Sequence, residues 1–273
     1  MAITASQVSE LRQLTSCGMM DCKKALMETN GDMDQAIQVL RKKGIAKAAS
    51  RADRAASEGI IRIKSSADGK QAILVEINCE TDFVARDSVF QQFADDIADI
   101  ALANQCGEVK ELLDFKTAEG KTIDQVRQEL ISKVGENVVI HGVAFVKSTG
   151  IIGAYVHGGR IGVLVTLTDG DVELAKDIAM HIAASKPVVV SPDEVAEELI
   201  AKEKEIFMAQ ASETGKPQNI VEKIVEGRLK KFLDEVSLLG QQFVKDPNIT
   251  VGQLLKEKKA GVDNFVRFEL GKD

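Results

Sequence analysis

The chain is poor in aromatic residues: it has no tryptophan, one tyrosine (Tyr155) and ten phenylalanines among 273 residues. That leaves no row of rings on which nucleic-acid bases could stack. Its four cysteines, Cys17, Cys22, Cys79 and Cys106, form no CxxC pair and have no histidine close by. They read as free thiols of a reducing compartment, neither a disulfide framework nor a zinc site. His141, His157 and His181 stand 16 and 24 residues apart, without the i,i+4 or short-loop spacing of metal ligands. No run of 18 apolar residues appears, so no membrane span is expected. The opening Met-Ala-Ile-Thr-Ala-Ser lacks the basic-then-apolar plan of a secretion signal, and a cytoplasmic location is expected. Basic residues are outnumbered 35 to 42, for a net charge of −7. That balance disfavours binding nucleic acid over the whole surface, because phosphates must be neutralised by excess Lys and Arg. Gly-x-Ser-x-Gly, His-Glu-x-x-His and Cys–His arrangements are all missing, so no catalytic residue, metal or cofactor is expected and the chain does not read as an enzyme.

What is present is a charged surface and ample core material. Charged residues make up 28% and hydrophobic ones 44%, enough core material for two or three units. Residues 1–45 read as three short helices. Thr4 or Ser6 caps the first, with Val8, Leu11 and Leu14 apolar; Cys22, Ala25, Leu26 and Met27 mark the second; Ala36, Ile37 and Leu40 face inward from the third, which ends before Gly44. Lys43, Lys47, Arg51 and Arg54 then recur at helical spacing. Two readings apply, a solvated connector and an RNA contact; the absence of interleaved aromatics favours the connector.

From Gly59 the period changes to that of strands. Gly59-Ile-Ile-Arg-Ile-Lys, an Asp68-Gly69 turn and Ala72 to Asn78 predict a β-hairpin, followed by a helix carrying Phe90, Phe93, Ile97 and Ile100. Thr122 caps another helix ending at Gly135, and a strand runs from Val138 to Val146. A second hairpin follows (Gly150 to Val156, Gly162 to Leu167), then a helix beginning near Ala175. Gly59-Ile-Ile matches Gly150-Ile-Ile, and Ala94-Asp-Asp-Ile-Ala matches Ala175-Lys-Asp-Ile-Ala, so one hairpin-plus-helix unit occurs twice. The copies differ in one place. Ile77 to Ala94 spans 17 residues and Leu167 to Ala175 only 8, the surplus falling at Asn78-Cys-Glu-Thr-Asp-Phe-Val-Ala-Arg-Asp87. Beyond it, Ser191-Pro-Asp-Glu194 predicts the start of a helix with a Val195, Leu199, Ile206, Ala209 seam. A turn at Thr214-Gly-Lys-Pro217 leads to a partner helix bearing Ile220, Ile224 and Phe232, with Val221, Val225 and Leu229 as further candidates for the seam. Thr250 caps a short helix, and Val266, Phe268 and Leu270 alternate as a closing strand.

The expected architecture is therefore α+β: a small N-terminal three-helix module, a two-subdomain core of β-hairpins packed with helices, and a protruding antiparallel coiled-coil hairpin. The boundaries read as 1–55 for the module and basic connector, 56–147 for the first subdomain and 148–190 for the first part of the second. The helical hairpin takes 191–234, and 235–273 completes the second subdomain.

Three places invite a functional reading. Phe83, between Asp82 and Val84, either plugs the hairpin–helix junction or is presented as an apolar anchor for a partner's pocket. The repeat favours the anchor, since a core built twice needs no extra plug in one copy. Met19 and Met20, at a bend between helices, suit either an adaptable contact surface or the bundle core. His157 stands at the mouth of the Gly158-Gly159 turn, which lacks the Lys-Ser/Thr of a phosphate-binding loop.

Together these segments resemble the bacterial translation elongation factor Ts family. The resemblance is carried by Gly18-Met-Met-Asp-Cys-Lys-Lys-Ala-Leu26, Asn78-Cys-Glu-Thr-Asp-Phe-Val-Ala85 and His157-Gly-Gly-Arg-Ile-Gly-Val-Leu-Val165. It continues in His181-Ile-Ala-Ala-Ser-Lys-Pro187, Glu226-Gly-Arg228 and Thr250-Val-Gly-Gln-Leu-Leu255. It implies a guanine-nucleotide exchange factor that binds the GDP form of elongation factor Tu, promotes GDP release by disturbing the Mg²⁺ and phosphate site, and stays bound until GTP enters. It further implies a ubiquitin-associated-like fold for the N-terminal module. Thr81, Asp82, Phe83 and Val84 take the place of the segment linked to Mg²⁺ displacement, with Met19, Met20 and His157 as further contacts. A homodimer or 2:2 assembly stays open, and no membrane or direct nucleic-acid partner is expected. Better-known bacterial members continue past the last strand with a short helical module. Here the sequence ends at Gly271-Lys-Asp273, so that tail's contribution is expected to be absent or replaced, lowering affinity without abolishing exchange.

Overall fold

A computed structural model describes residues 3–15, 17–213 and 217–272. The fold is mixed α+β and divides into two units, each with its own core.

The first unit comprises Met1–Lys64, Ile73–Phe145 and Phe268–Asp273. It opens with α1 (Ala5–Thr15), α2 (Met19–Glu28) and α3 (Met33–Ala49). Thr4 takes the first cap: its hydroxyl accepts from Gln7 N–H at 3.3 Å, and its own N–H donates to Gln7 Oε1 at 3.0 Å. Val8, Leu11, Cys22, Ala25, Leu26, Ala36 and Leu40 are buried together as a small core. Leu14 and Met27, counted among the apolar positions of the first two helices, are exposed. The third helix does not stop before Gly44 but runs on to Ala49. Gly44 is there for close packing, since a Cβ would lie 2.9 Å from Ser132 Oγ of a facing helix. The basic stretch is thus mostly the last turns of α3.

Strands β1 (Glu58–Ser65) and β2 (Gln71–Cys79) form the expected hairpin. They lead to a single turn, α4 (Asp82–Ala85), and then α5 (Ser88–Ala103). Short α6 (Val109–Leu112), α7 (Ile123–Val134) and β3 (Val138–Lys147) follow, the sheet having the order β1-β2-β3. Thr122 and Gln125 form a capping box at the start of α7, as the Thr-x-x-Gln spacing demands. In β2, the central strand, every residue from Ala72 to Cys79 is buried. Its Ile73, Val75 and Ile77 pack with Phe90, Phe93 and Ile97 of α5 and with Ile123 and Ile131 of α7.

The second unit comprises Ser65–Ala72 and Val146–Arg267. Its sheet has the order β4 (Ile151–His157), β5 (Ile161–Leu167), β8 (Val262–Glu269). Tyr155 stands opposite Val163 and Gly153 opposite Val165 in antiparallel register. Helix α8 (Val172–Ser185) packs Leu174, Ile178 and Ile182 on this sheet. Gly153 makes the close approach possible, because a Cβ there would lie 2.3 Å from the Ala175 carbonyl oxygen. The two hairpins share one further device. A Cβ on Gly59 would lie 2.1 Å from the Ile77 carbonyl oxygen, and one on Gly150 would lie 1.9 Å from that of Leu167. These are the residues that the sequence repeat aligns.

Two long helices, α9 (Glu197–Ser212) and α10 (Gln218–Val236), pack antiparallel, with Phe207 against Phe232 and Arg228 donating to Gln210 at 2.9 Å. The expected start and seam need correction. Ser191 caps only a 3₁₀ turn at Pro192–Glu194, and α9 begins at Glu197 after an extended Val195. The buried seam is Ala211, Val221 and Val225 with Phe207, Met208 and Ile224 against it, while Ile206, Ala209 and Ile220 are exposed. Val221 and Val225, both among the expected candidates, are buried with Ile224 against them, whereas Phe207 takes the place expected of Ile206. The turn expected at 214–217 lies, apart from Pro217, outside the described residues. The chain closes with β6 (Gln242–Phe243), β7 (Asp246–Thr250), α11 (Val251–Glu257) and β8, with Thr250 and Gln253 forming a second capping box.

Candidate functional site

The surplus residues of the first repeat form a braced loop with a bare tip. β2 ends at Cys79, whose buried thiol donates to the Thr81 carbonyl at 3.2 Å. Burial, reinforced by the negative charge of nearby Glu136, pushes this thiol up to about 12, so it stays protonated as a donor at neutral pH. Thr81 is extended and caps α4, its hydroxyl accepting from Val84 N–H at 3.4 Å. The same hydroxyl donates to Glu136 Oε1 at 2.7 Å, and Thr81 N–H donates to Glu136 Oε2 at 3.0 Å. One residue on either side, Asn137 N–H donates to Glu80 Oε1 at 2.7 Å, and Arg54 reaches the same carboxylate at 3.4 Å. Buried Asn137 also donates from Nδ2 to the carbonyls of Arg54 (3.0 Å) and Ala52 (3.3 Å).

On this footing α4 places its four residues differently. Val84 and Ala85 pack against the first unit's core. Asp82 pairs with Arg86 at 2.8 Å across the single turn. Phe83 is 81% exposed, so it does not plug the junction. Asp87 then caps α5, accepting from Val89 N–H at 2.8 Å, which ends the loop. The geometry is that of a braced pedestal carrying a largely exposed phenyl ring, with the Asp82–Arg86 pair on the same turn. Glu136 and Asn137 escaped the sequence reading. They lie just after the Gly135 stop of α7, a position that on its own reads as an ordinary helix exit.

Met19 and Met20 open the second helix and are 55% and 63% exposed, so they are surface and not bundle core. His157 is exposed at the end of β4, its Nδ1 3.1 Å from Tyr155 Oη. Gly158 and Gly159 both take positive φ (57° and 71°), and Arg160 N–H donates back to the His157 carbonyl at 2.9 Å. This is a tight hairpin turn, which only glycine makes without strain. Phe83, Met19 and Met20 belong to the first unit and His157 to the second.

The remaining polar candidates do structural work. His181 is fully buried in the second unit, its Nδ1 accepting from Val244 N–H (3.2 Å) and its Nε2 facing Gln241 Oε1 at 3.0 Å. That pattern requires the proton on Nε2, and burial lowers its pKa below 6.5, keeping the ring neutral. Of the basic stretch, Lys43 pairs with Glu28 at 2.6 Å, Arg51 donates to the Ile131 carbonyl at 3.3 Å and Arg54 meets Glu80. These contacts all lie within the first unit. Among the described residues no group of three His, Cys, Asp or Glu could hold a metal ion. No helix among them is long and apolar enough to cross a membrane.

Comparison with known proteins identifies the family. The family model described as elongation factor TS matches residues 80–272, which begins at the pedestal loop. The chain is 55% identical over 269 residues to elongation factor Ts of Legionella pneumophila strain Lens, covering 98% of this chain and 92% of the relative. It is 56% identical over 272 residues to that of Methylococcus capsulatus, covering 99% and 93%. With the protein of the same name from Yersinia pestis it shares 52% over 270 residues, covering 99% and 92%. The chain belongs to the elongation factor Ts family, translation factors that act through protein–protein contact and are not enzymes.

Proposed function

We infer that the protein is a guanine-nucleotide exchange factor for elongation factor Tu, and that Phe83 is the element it inserts to loosen the bound GDP. The observation that carries the mechanism is the 81% exposed ring on a turn braced from both sides. An exposed phenylalanine on a mobile loop would lose ordering entropy on docking; one on a pedestal is already in place. Thr81 and Val84 hold the turn, Phe83 supplies the wedge, and Asp82 with Arg86 supplies a polar fringe. Met19, Met20 and His157 provide additional contact surface, the methionines adaptable in shape and the imidazole held by Tyr155.

A nucleotide's phosphates are held by Mg²⁺ and backbone amides of the GTPase. Shifting the elements that position the metal weakens the whole site. No bond is made or broken by the factor. Factor and nucleotide lower each other's affinity by the same ratio, so entry of GTP in turn expels the factor. The reaction takes place in the cytoplasm, without a cofactor and without nucleic acid held by this chain.

The test is release of a fluorescent GDP from purified elongation factor Tu by stopped flow. Acceleration by orders of magnitude that saturates with factor concentration is expected, and Phe83→Ala should remove most of it. Binding without acceleration by the wild type would reject exchange as the function. Full acceleration by Phe83→Ala would reject the wedge. Mass measurement of the complex in solution separates a 1:1 from a 2:2 assembly.

A further inference from the structure

We propose that Glu136 is a positioning residue for Phe83, acting with Glu80 and Asn137 as a reciprocal lock between the exit of β2 and the exit of α7. The proposal rests on Phe83 being the wedge. Two chain segments 55 residues apart exchange side-chain-to-backbone bonds in opposite directions. Glu136 takes both the N–H and the O–H of Thr81, while Glu80 takes the N–H of Asn137. All three are charge-assisted bonds and partly buried, the setting in which such bonds are strongest and most directional.

The Thr81 hydroxyl is the point where the lock meets the wedge. A free hydroxyl rotates. This one has its proton committed to Glu136 Oε1 at 2.7 Å, which leaves its lone pairs to receive Val84 N–H. A four-residue helix has too few internal bonds to hold itself, since nucleating a turn is unfavourable. Its cap and its clamp therefore decide whether Phe83 is presented in one place or sweeps through many. Asn137 extends the lock to the connector, because its Nδ2 holds the carbonyls of Ala52 and Arg54 just beyond the end of α3.

The experiment measures maximal GDP-release rate and half-saturating factor concentration for Glu136→Ala, Phe83→Ala and the double variant. Amide hydrogen exchange is followed at Val84 to Asp87 in parallel. Glu136→Ala should lower the maximal rate roughly tenfold while the half-saturating concentration stays within about twofold, and the four amides should exchange roughly tenfold faster. In the Phe83→Ala background the Glu136 change should add less than about twofold, because its effect runs through the ring. A wild-type rate in folded Glu136→Ala, or an equal loss in both backgrounds, overturns the proposal. If Phe83→Ala alone leaves exchange intact, the wedge fails instead, and the amide exchange still decides whether the lock exists. Should Glu136→Ala fail to fold, Glu136→Gln takes its place. The amide keeps one acceptor oxygen and turns an NH₂ donor toward the other Thr81 donor, so the maximal rate should fall and the four amides should exchange faster; wild-type values of both overturn the lock.

Discussion

Replacing Phe83 with alanine should leave the protein as stable as before, whereas replacing Phe90, seven residues later, should damage it severely. Full burial of a phenylalanine side chain is worth about 1.5–3 kcal/mol. Phe83 is 81% exposed, so roughly a fifth of that, about 0.3–0.6 kcal/mol, is lost on truncation. Alanine is the better helix former and returns up to ~0.5 kcal/mol in the turn it occupies. The net change should lie within about 0.5 kcal/mol of zero. Phe90 is 0% exposed in the first unit's core, and Phe→Ala at such a site costs about 3–5 kcal/mol. Urea unfolding followed by far-ultraviolet circular dichroism compares both variants with the wild type. A loss above about 1.5 kcal/mol for Phe83→Ala would mean that the ring packs inside the molecule, and the assignment of a docking role would collapse with it.

Two further outcomes test the fold itself. Gly153→Ala places a methyl group 2.3 Å from the Ala175 carbonyl oxygen, so α8 must retreat from the sheet. A cost of about 1–3 kcal/mol in urea unfolding is expected, and an unchanged midpoint would contradict the packing. His181, its pKa lowered by burial, contributes stability that is fully present above its unfolded value of about 6.5. As pH falls below that value, the unfolded chain takes up a proton that the folded one refuses, and the contribution falls by at most about 1.4 kcal/mol per pH unit until the folded pKa is reached. The stability gap between wild type and His181→Gln should therefore shrink from pH 7.5 to 5.5; a constant gap would show that the ring titrates alike in both states.

Much of the fold could be read from local chemistry. Both capping boxes, at Thr122 and Thr250, sit where a Thr three residues before a Gln announces them, and the hairpin repeat follows from two Gly-Ile-Ile starts. That repeat also exposed the surplus loop and with it Phe83, because a comparison inside one chain needs no other. What local chemistry missed was decided at long range. Gly44 looked like a helix stop until the surface of α7 was there to need it. Ile206 and Ile220 were as good a seam as Phe207 and Val221 until the two helices met. Glu136 carries no motif at all; its role exists only because folding brings it beside Thr81.

The charged pair on the turn of Phe83 has a consequence for life at high concentration. A solitary exposed ring tends to find rings on neighbouring molecules, and a factor crowded among its own copies would self-adhere. Asp82 and Arg86, 2.8 Å apart and both open to water, keep charge on the same turn as the ring. Another copy that covered this turn would have to desolvate those charges without return, whereas a surface with matching charges could replace the lost hydration. Removing the two charges while keeping the ring would thus give a molecule that loses solubility before it loses grip.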